Sequence, residues 1–113
     1  MKDCLFCKII AGEIPSSKVY EDERVLAFRD IDPKAPVHVL VIPKKHAASV
    51  LQLSDGEYEI AAHILRVMCQ LSKELGLEGG FRIVTNTGPD GGQSVDHLHF
   101  HLLGGRAMGW PPG

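Results

Sequence analysis

The sequence predicts an antiparallel α+β domain. Three observations carry that prediction: one long stretch, residues 54–76, with apolar residues at helical spacing; several short β-prone runs joined by tight turns; and no alternation of strand and helix of the kind parallel crossover units need. With 113 residues, 44% hydrophobic and 23% charged, the chain can build one domain with its own core, spanning 1–113 with a tail from 104.

The elements follow in order. Residues 4–11 fit a short amphipathic helix, with Leu5, Phe6, Ile9 and Ile10 apolar and Gly12 stopping it before Ile14-Pro15. "KVYED" (18–22) and "VLAFRD" (25–30) are short β-prone runs separated by charged residues, the pattern of a hairpin or meander turn. "IDPKAP" interrupts the chain with two prolines, and "VHVLVIP" (37–43) reads as a well-buried strand rich in β-branched residues. Ser54 and Glu57 form a capping-box signature at the start of the long helix. Ile60, Ile64, Val67, Met68, Leu71 and Leu75 then share one stripe, with Arg66, Gln70 and Lys73 opposite and expected in water. "FRIVTN" (81–86) is a strand, "TGPDGGQS" (87–94) a glycine-rich loop, "HLHFHLLGG" (97–105) the final strand, and "RAMGWPPG" the tail.

Charge narrows the function. A net charge of −2 leaves no global basic field to hold a nucleic-acid backbone, so any nucleotide recognised here is small and met locally. "MKDCLF" opens no apolar run of signal length, and no stretch approaches about 18 uninterrupted apolar residues. The chain therefore reads as cytoplasmic, without a membrane partner. Three cysteines without an export signal make a disulfide framework a poor reading and leave metal binding or free thiols.

Two motifs carry chemistry. His97, His99 and His101 alternate with Leu98, Phe100 and Leu102; in a strand this sends three imidazoles to one face, able to bracket one small anion or one metal. The glycine-rich loop just before them can offer backbone N–H groups to phosphate. Together they suggest a phosphorus-centred substrate attacked by imidazole. Cys4 and Cys7 form the second motif, with the spacing of metal ligands. They are only half a site, because zinc takes four ligands. Cys69, off the apolar stripe and without a partner one turn away, is not expected to join them. A thioredoxin-like redox pair is disfavoured because no strand precedes the C-x-x-C.

"HLHFHLL" is similar to the H-x-H-x-H-x-x pattern, x apolar, of the histidine triad superfamily. "CKIIAGEIPSSKVYEDERVLAFRDIDPKAPVHVLVIPKKH", "GGQSV" and "LGGRAMGWPPG" resemble its nucleotide-binding Hint branch in order and spacing. The resemblance implies a fold with a five-stranded antiparallel sheet, one long helix and a short N-terminal helix. It also implies homodimerisation through that helix and an adjoining strand into a ten-stranded sheet. The implied activity is hydrolysis of purine nucleoside phosphoramidates and related nucleotidyl conjugates.

Residue by residue, the resemblance implies that His99 attacks the α-phosphorus to form a nucleotidyl-histidine, that His101 binds a phosphate oxygen, and that Ser94 lies near the leaving amine. It places His38 as a further active-site histidine and Asn86, Gly92 and Gln93 around the phosphate. Asp30 is expected at the ribose hydroxyls, with Phe6, Ile9, Phe28 and Ile31 forming the purine slot. Trp110 is expected to shape leaving-group preference from the partner subunit's site. Members with an N-terminal C-x-x-C often bind structural zinc through that pair, a histidine after the buried strand and the first triad histidine, here Cys4, Cys7, His46 and His97. Asp96 and Gly109 depart from the commonest residues at their positions, which bears on the leaving group. Two other readings use the same residues: a nucleotide-binding scaffold with vestigial hydrolysis, and a metal enzyme with all three triad histidines as ligands.

Overall fold

The computed structural model describes residues 3–113. A short helix α1 (Leu5–Ile10) leads into strands β1 (Lys18–Glu21), β2 (Val25–Arg29) and β3 (Val37–Pro43). Two 3-10 turns (Val50–Gln52 and Asp55–Glu57) precede helix α2 (Glu59–Glu74), which is followed by β4 (Phe81–Thr85) and β5 (Phe100–Gly104). All five strands join one antiparallel sheet in the order β1-β2-β3-β5-β4. The predicted fold class is the observed one. No helix among the described residues is long and apolar enough to cross a membrane.

Strand alternation builds a three-layer arrangement. Val25 and Ala27, Val39 and Val41, and Leu98, Phe100 and Leu102 face α2 and pack on Ile64, Val67, Met68 and Leu71. The alternate residues Leu26, Phe28, Leu40 and Ile42 face the other way and pack on Phe6 and Ile9 of α1. Burying each of those two α1 side chains contributes roughly 1.5–3 kcal/mol, enough to hold a six-residue helix that would not persist alone. β3 and β5 lie at the sheet centre with Leu40 opposite His101, so the triad lies on the α1 side.

The long helix is shorter than the sequence predicts. The capping-box contacts exist, with Ser54 N–H and Oγ donating to the Glu57 carboxylate at 2.9 and 3.0 Å, but they close the 3-10 turn rather than α2. α2 begins after Tyr58, whose side chain caps nothing. The apolar stripe is buried or half-buried, and Arg66, Gln70 and Lys73 are exposed as expected.

The final strand is also shorter than 97–105. Leu98 N–H donates to Ala47 O, on the segment after β3, at 2.7 Å, so residues 97–99 run beside that segment and the ladder starts only at Phe100. The alternation survives this change, which is why the leucines still reach the core. At the other end Gly104 passes so close to Leu77 that a Cβ there would lie 2.7 Å from its Cδ2. The tail then crosses the β4 side, where Arg82 Nη2 donates to Gly109 O at 2.7 Å.

Candidate active site and metal centre

The histidines on the α1 face are not a wet strand face: His97, His99 and His38 are buried and His101 is half-buried. Phe6 closes over them, its ring edge-to-face with His99 at 5.1 Å and His97 at 5.9 Å between centroids. In such a setting each imidazole needs a defined partner, and main-chain groups supply most of them.

His99 Nδ1–H donates to the carbonyl of His97 at 2.7 Å, which leaves the Nε2 lone pair free. Lys34 N–H donates to His38 Nδ1 at 3.1 Å. A nitrogen that accepts carries no proton, so neutral His38 keeps its proton on Nε2 and donates it to His101 Nδ1 at 2.9 Å. By the same reasoning His101 carries its proton on Nε2. That atom is buried and has no hydrogen-bond partner in the protein. A free lone pair on His99 thus stands beside an unpaired N–H on His101, with 5.0 Å between ring centroids. Burial first, then the neighbouring His99 and His38, push His101 down to about 4, and burial also lowers His38, partly opposed by Asp30. Both rings are therefore neutral near pH 7, the state this relay requires.

The two rings border a cleft of about 280 Å³. Phe6, Ile9 and Phe28 line its apolar part, together with Ile14, Leu40 and Val95, which sequence reasoning did not single out. Asp30, Ser94 and Ile31 also line it, and Ile31 stands fully exposed at the rim. Asp30 Oδ1 accepts from Asp32 N–H at 2.8 Å, and Oδ2 lies 3.5 Å from His38 Nε2. His38 sits behind His101, to which it donates, and does not itself line the cleft.

Other predicted site residues are placed elsewhere. Gly92 and Gln93 N–H donate inside the loop, to Pro89 O and Gly88 O at 3.1 Å each. The Gln93 side chain accepts from Gly88 N–H and donates to Ala48 O and Val95 O, so it buttresses the loop. Gly92 has φ +80°, a turn conformation that favours glycine. Of residues 92–94, Ser94 is the one that lines the cleft. Asn86, just past β4, does not line it, and Trp110 is 83% exposed on the tail, away from this chain's own cleft.

Cys4, Cys7, His46 and His97 come together as a second constellation, their ligand atoms all within 4.8 Å of one another. His97 Nδ1 lies 3.1 Å from Cys4 Sγ, 3.5 Å from Cys7 Sγ and 3.1 Å from His46 Nδ1, and Cys7 Sγ lies 3.5 Å from His46 Nδ1. A tetrahedral zinc ion with ordinary bond lengths sets N–N and N–S edges of roughly 3.3–3.6 Å, so this set of atoms fits one such ion. The second sphere fits too: His97 Nε2–H donates to Pro43 O at 2.8 Å, which aims the Nδ1 lone pair at the thiols. Burial, and then Cys4 beside it, raise the Cys7 thiol, the reverse of what a dominant positive charge does to a thiol. A bound zinc ion would supply that charge and tie α1 to the segment leading into β5. Cys69 is exposed on α2 and outside the cluster.

This geometry separates the triad histidines. His97 groups with the cysteines, His101 with Asp30 and His38, and His99 with neither, so the three rings do not converge on one ion among the described residues. Asp30, His38 and His101 also lie within 4.8 Å of one another. A metal on His38 Nε2 would move that ring's proton to Nδ1, against the Lys34 N–H that already points there. Hydrogen bonds thus account for both nitrogens of His38 and for His101 Nδ1, and leave His101 Nε2 without a partner.

The HIT domain family model matches residues 11–108. The chain belongs to the HIT family. This HIT protein is 53% identical over 111 residues to the 14 kDa zinc-binding protein of Zea mays, covering 96% of this chain and 87% of that one. It is 50% identical over 111 residues to the adenylylsulfatase HINT1 of Arabidopsis thaliana, covering 96% and 76%. The crystal structure of a HIT family hydrolase from Legionella pneumophila Philadelphia 1 superposes with a TM-score of 0.96 at 54% identity, covering 98% and 100% of the two chains. A HIT-type nucleotide hydrolase with a cluster able to hold a metal is thus the coarse functional description.

Proposed function

We propose that the protein hydrolyses purine nucleoside phosphoramidates through a nucleotidyl intermediate on His99. The observation that carries this reading is the pairing of a free His99 Nε2 lone pair with the unpartnered His101 Nε2–H on one cleft wall. In the first step His99 Nε2 bonds to the α-phosphorus and the P–N bond breaks. The amine leaves after taking one proton from the hydroxyl or imidazole groups at that end, where Ser94 and His101 stand. In the second step water attacks phosphorus and gives one proton back to the group that protonated the amine, the P–Nε2 bond breaks, and nucleoside monophosphate and free His99 are released. His101 Nε2–H faces the charge that develops on a phosphoryl oxygen. The base lies between Phe6, Ile9 and Phe28 and the ribose against Asp30, with Ile31 covered once the slot is filled.

A structural zinc ion on Cys4, Cys7, His46 and His97 belongs to this reading, supported by the fit of the four donors and by the zinc-binding relative from maize. So does a cytoplasmic homodimer built through α2 and the outer edge of β4; Leu65 on α2, 44% exposed, would find a partner there, and Trp110 on the tail, 83% exposed, would reach the partner subunit's cleft. The Arabidopsis relative named adenylylsulfatase supports a second leaving group, sulfate, on the same adenylyl transfer to His99.

The test is turnover of adenosine phosphoramidate and of adenylyl sulfate by the unchanged protein and by His99→Ala. The reading expects hydrolysis of at least the first, lost in the variant. Turnover that survives the substitution removes His99 from the chemistry, and binding of nucleotide with no turnover of either compound leaves the scaffold reading.

A further inference from the structure

We propose that Ser16 is a specificity-determining residue of the cleft, its hydroxyl bonding a sugar hydroxyl of the bound nucleotide across from Asp30. The inference rests on the nucleotide reading above and adds a residue to it.

Its position follows from strand register. Lys18 lies opposite Phe28 in the β1–β2 ladder, and Arg29 N–H donates to Ser17 O at 2.9 Å. The same antiparallel count, carried one pair beyond Arg29, sets Ser16 against Asp30. Residues directly opposite share a face, with Cβ atoms about 4.5–5.5 Å apart. Phe28 and Asp30 face the cleft, and Ser16 lines it with them.

Ser16 Oγ is buried and makes no hydrogen bond to the protein. Buried hydroxyls in folded proteins are nearly always partnered, so an orphan on the wall of a ligand cleft points to a partner that arrives with the ligand. Rotation about χ1 between staggered wells is the motion by which such a hydroxyl would turn to meet a ligand.

Chemistry names the partner. Asp30 is a carboxylate that can only accept, and its Oδ1 already takes Asp32 N–H. A vicinal diol donates two protons and also carries oxygen lone pairs, which a carboxylate cannot serve. Ser16 adds a donor next to Asp30, so the two residues together match both sides of a ribose hydroxyl. A carboxylate alone would match only one.

The test measures binding of AMP, 2′-deoxy-AMP and 3′-deoxy-AMP to the full chain and to Ser16→Ala, with thermal melting of both proteins. Loss of one neutral hydrogen bond weakens AMP binding by about 2- to 13-fold, and the loss disappears for the deoxynucleotide that lacks the partnered hydroxyl. Melting is unchanged or raised, because the substitution removes an unpaired buried hydroxyl. A merely structural serine would weaken all three nucleotides alike, or none, and either result overturns the assignment while leaving the His99 chemistry standing. Absence of AMP binding by the unchanged protein overturns both.

Discussion

The carbonyl of His97 accepts the Nδ1–H of His99 at 2.7 Å, while the His97 ring faces Cys4 Sγ at 3.1 Å. The residue that closes the cysteine cluster therefore also holds the imidazole on the cleft wall. Order at the cysteine cluster and the tautomer of His99 are joined through one main-chain unit.

Metal removal should register in both places. Protein purified without chelator is expected to hold about one zinc per chain, and chelation to lower Tm by about 5–10 °C, the scale of roughly 2 kcal/mol in a domain of this size. Metal analysis and melting curves check it. A zinc content under roughly 0.3 equivalents contradicts a four-ligand site of this kind.

His38→Ala deletes the donor to His101 Nδ1 and frees the His101 proton to move to the wrong nitrogen. The expected result is a fall in kcat/KM of about 10- to 100-fold, the scale seen when an orienting partner is lost, with the fold retained by circular dichroism. Full activity in this variant would show that the cleft does not depend on the relay from Lys34 N–H.

Acid should strain the same relay. A proton added to His101 Nδ1 would point at the Nε2–H of His38, two donors face to face. Because His101 is held at about 4 in the fold, the unfolded chain binds more protons between its ordinary value near 6.5 and about 4. Stability from this group is complete above that window and falls as pH drops through it, by on the order of 3 kcal/mol. Urea unfolding of the wild type and His101→Asn across pH 4 to 7.5 should show a shallower acid loss in the variant.

Asp22 anchors the β1–β2 turn to α2. Its Oδ1 accepts from Arg24 and Val25 N–H at 2.7 and 2.9 Å, and its Oδ2 from Tyr20 Oη–H at 2.8 Å and His63 Nε2–H at 2.6 Å. Burial alone would raise its pKa, but these hydrogen bonds, led by that from Arg24, outweigh it and hold the carboxyl well below the usual carboxylate range. Asp22→Asn should cost about 1–3 kcal/mol at pH 7. The stability this carboxylate adds is present above the ordinary carboxylate value and lost as pH falls below it, so the melting curves of the two proteins should converge toward pH 2.

Much of the architecture is legible in the sequence because period and punctuation are local. The leucine–histidine alternation at 97–102 survives even where the ladder stops at Phe100, and the α2 stripe is where the spacing places it. The long helix loses its first turn because the Ser54–Glu57 box is satisfied equally well by a 3-10 turn. Gln93 looks like a phosphate ligand beside two glycines, yet its bonds reach Ala48, 45 residues earlier, which no window on the loop contains. Asp22 and His63, 41 residues apart, and Ser16, inside an unremarkable "IPSS", carry no periodic signal at all. Cys4 and Cys7 declare half a metal site by spacing, while His46 and His97 join it only through the chain's return beside β3.

The central claim is that His99 forms a covalent bond to phosphorus. Rapid acid- and base-quench of the protein mixed with adenosine phosphoramidate, followed by intact mass and peptide mapping, measures it directly. The account predicts a transient adduct of one adenylyl group per chain, on the peptide holding His99 and absent from His99→Ala. Steady turnover with no adduct at any quench time, or an unchanged burst from His99→Ala, would contradict it.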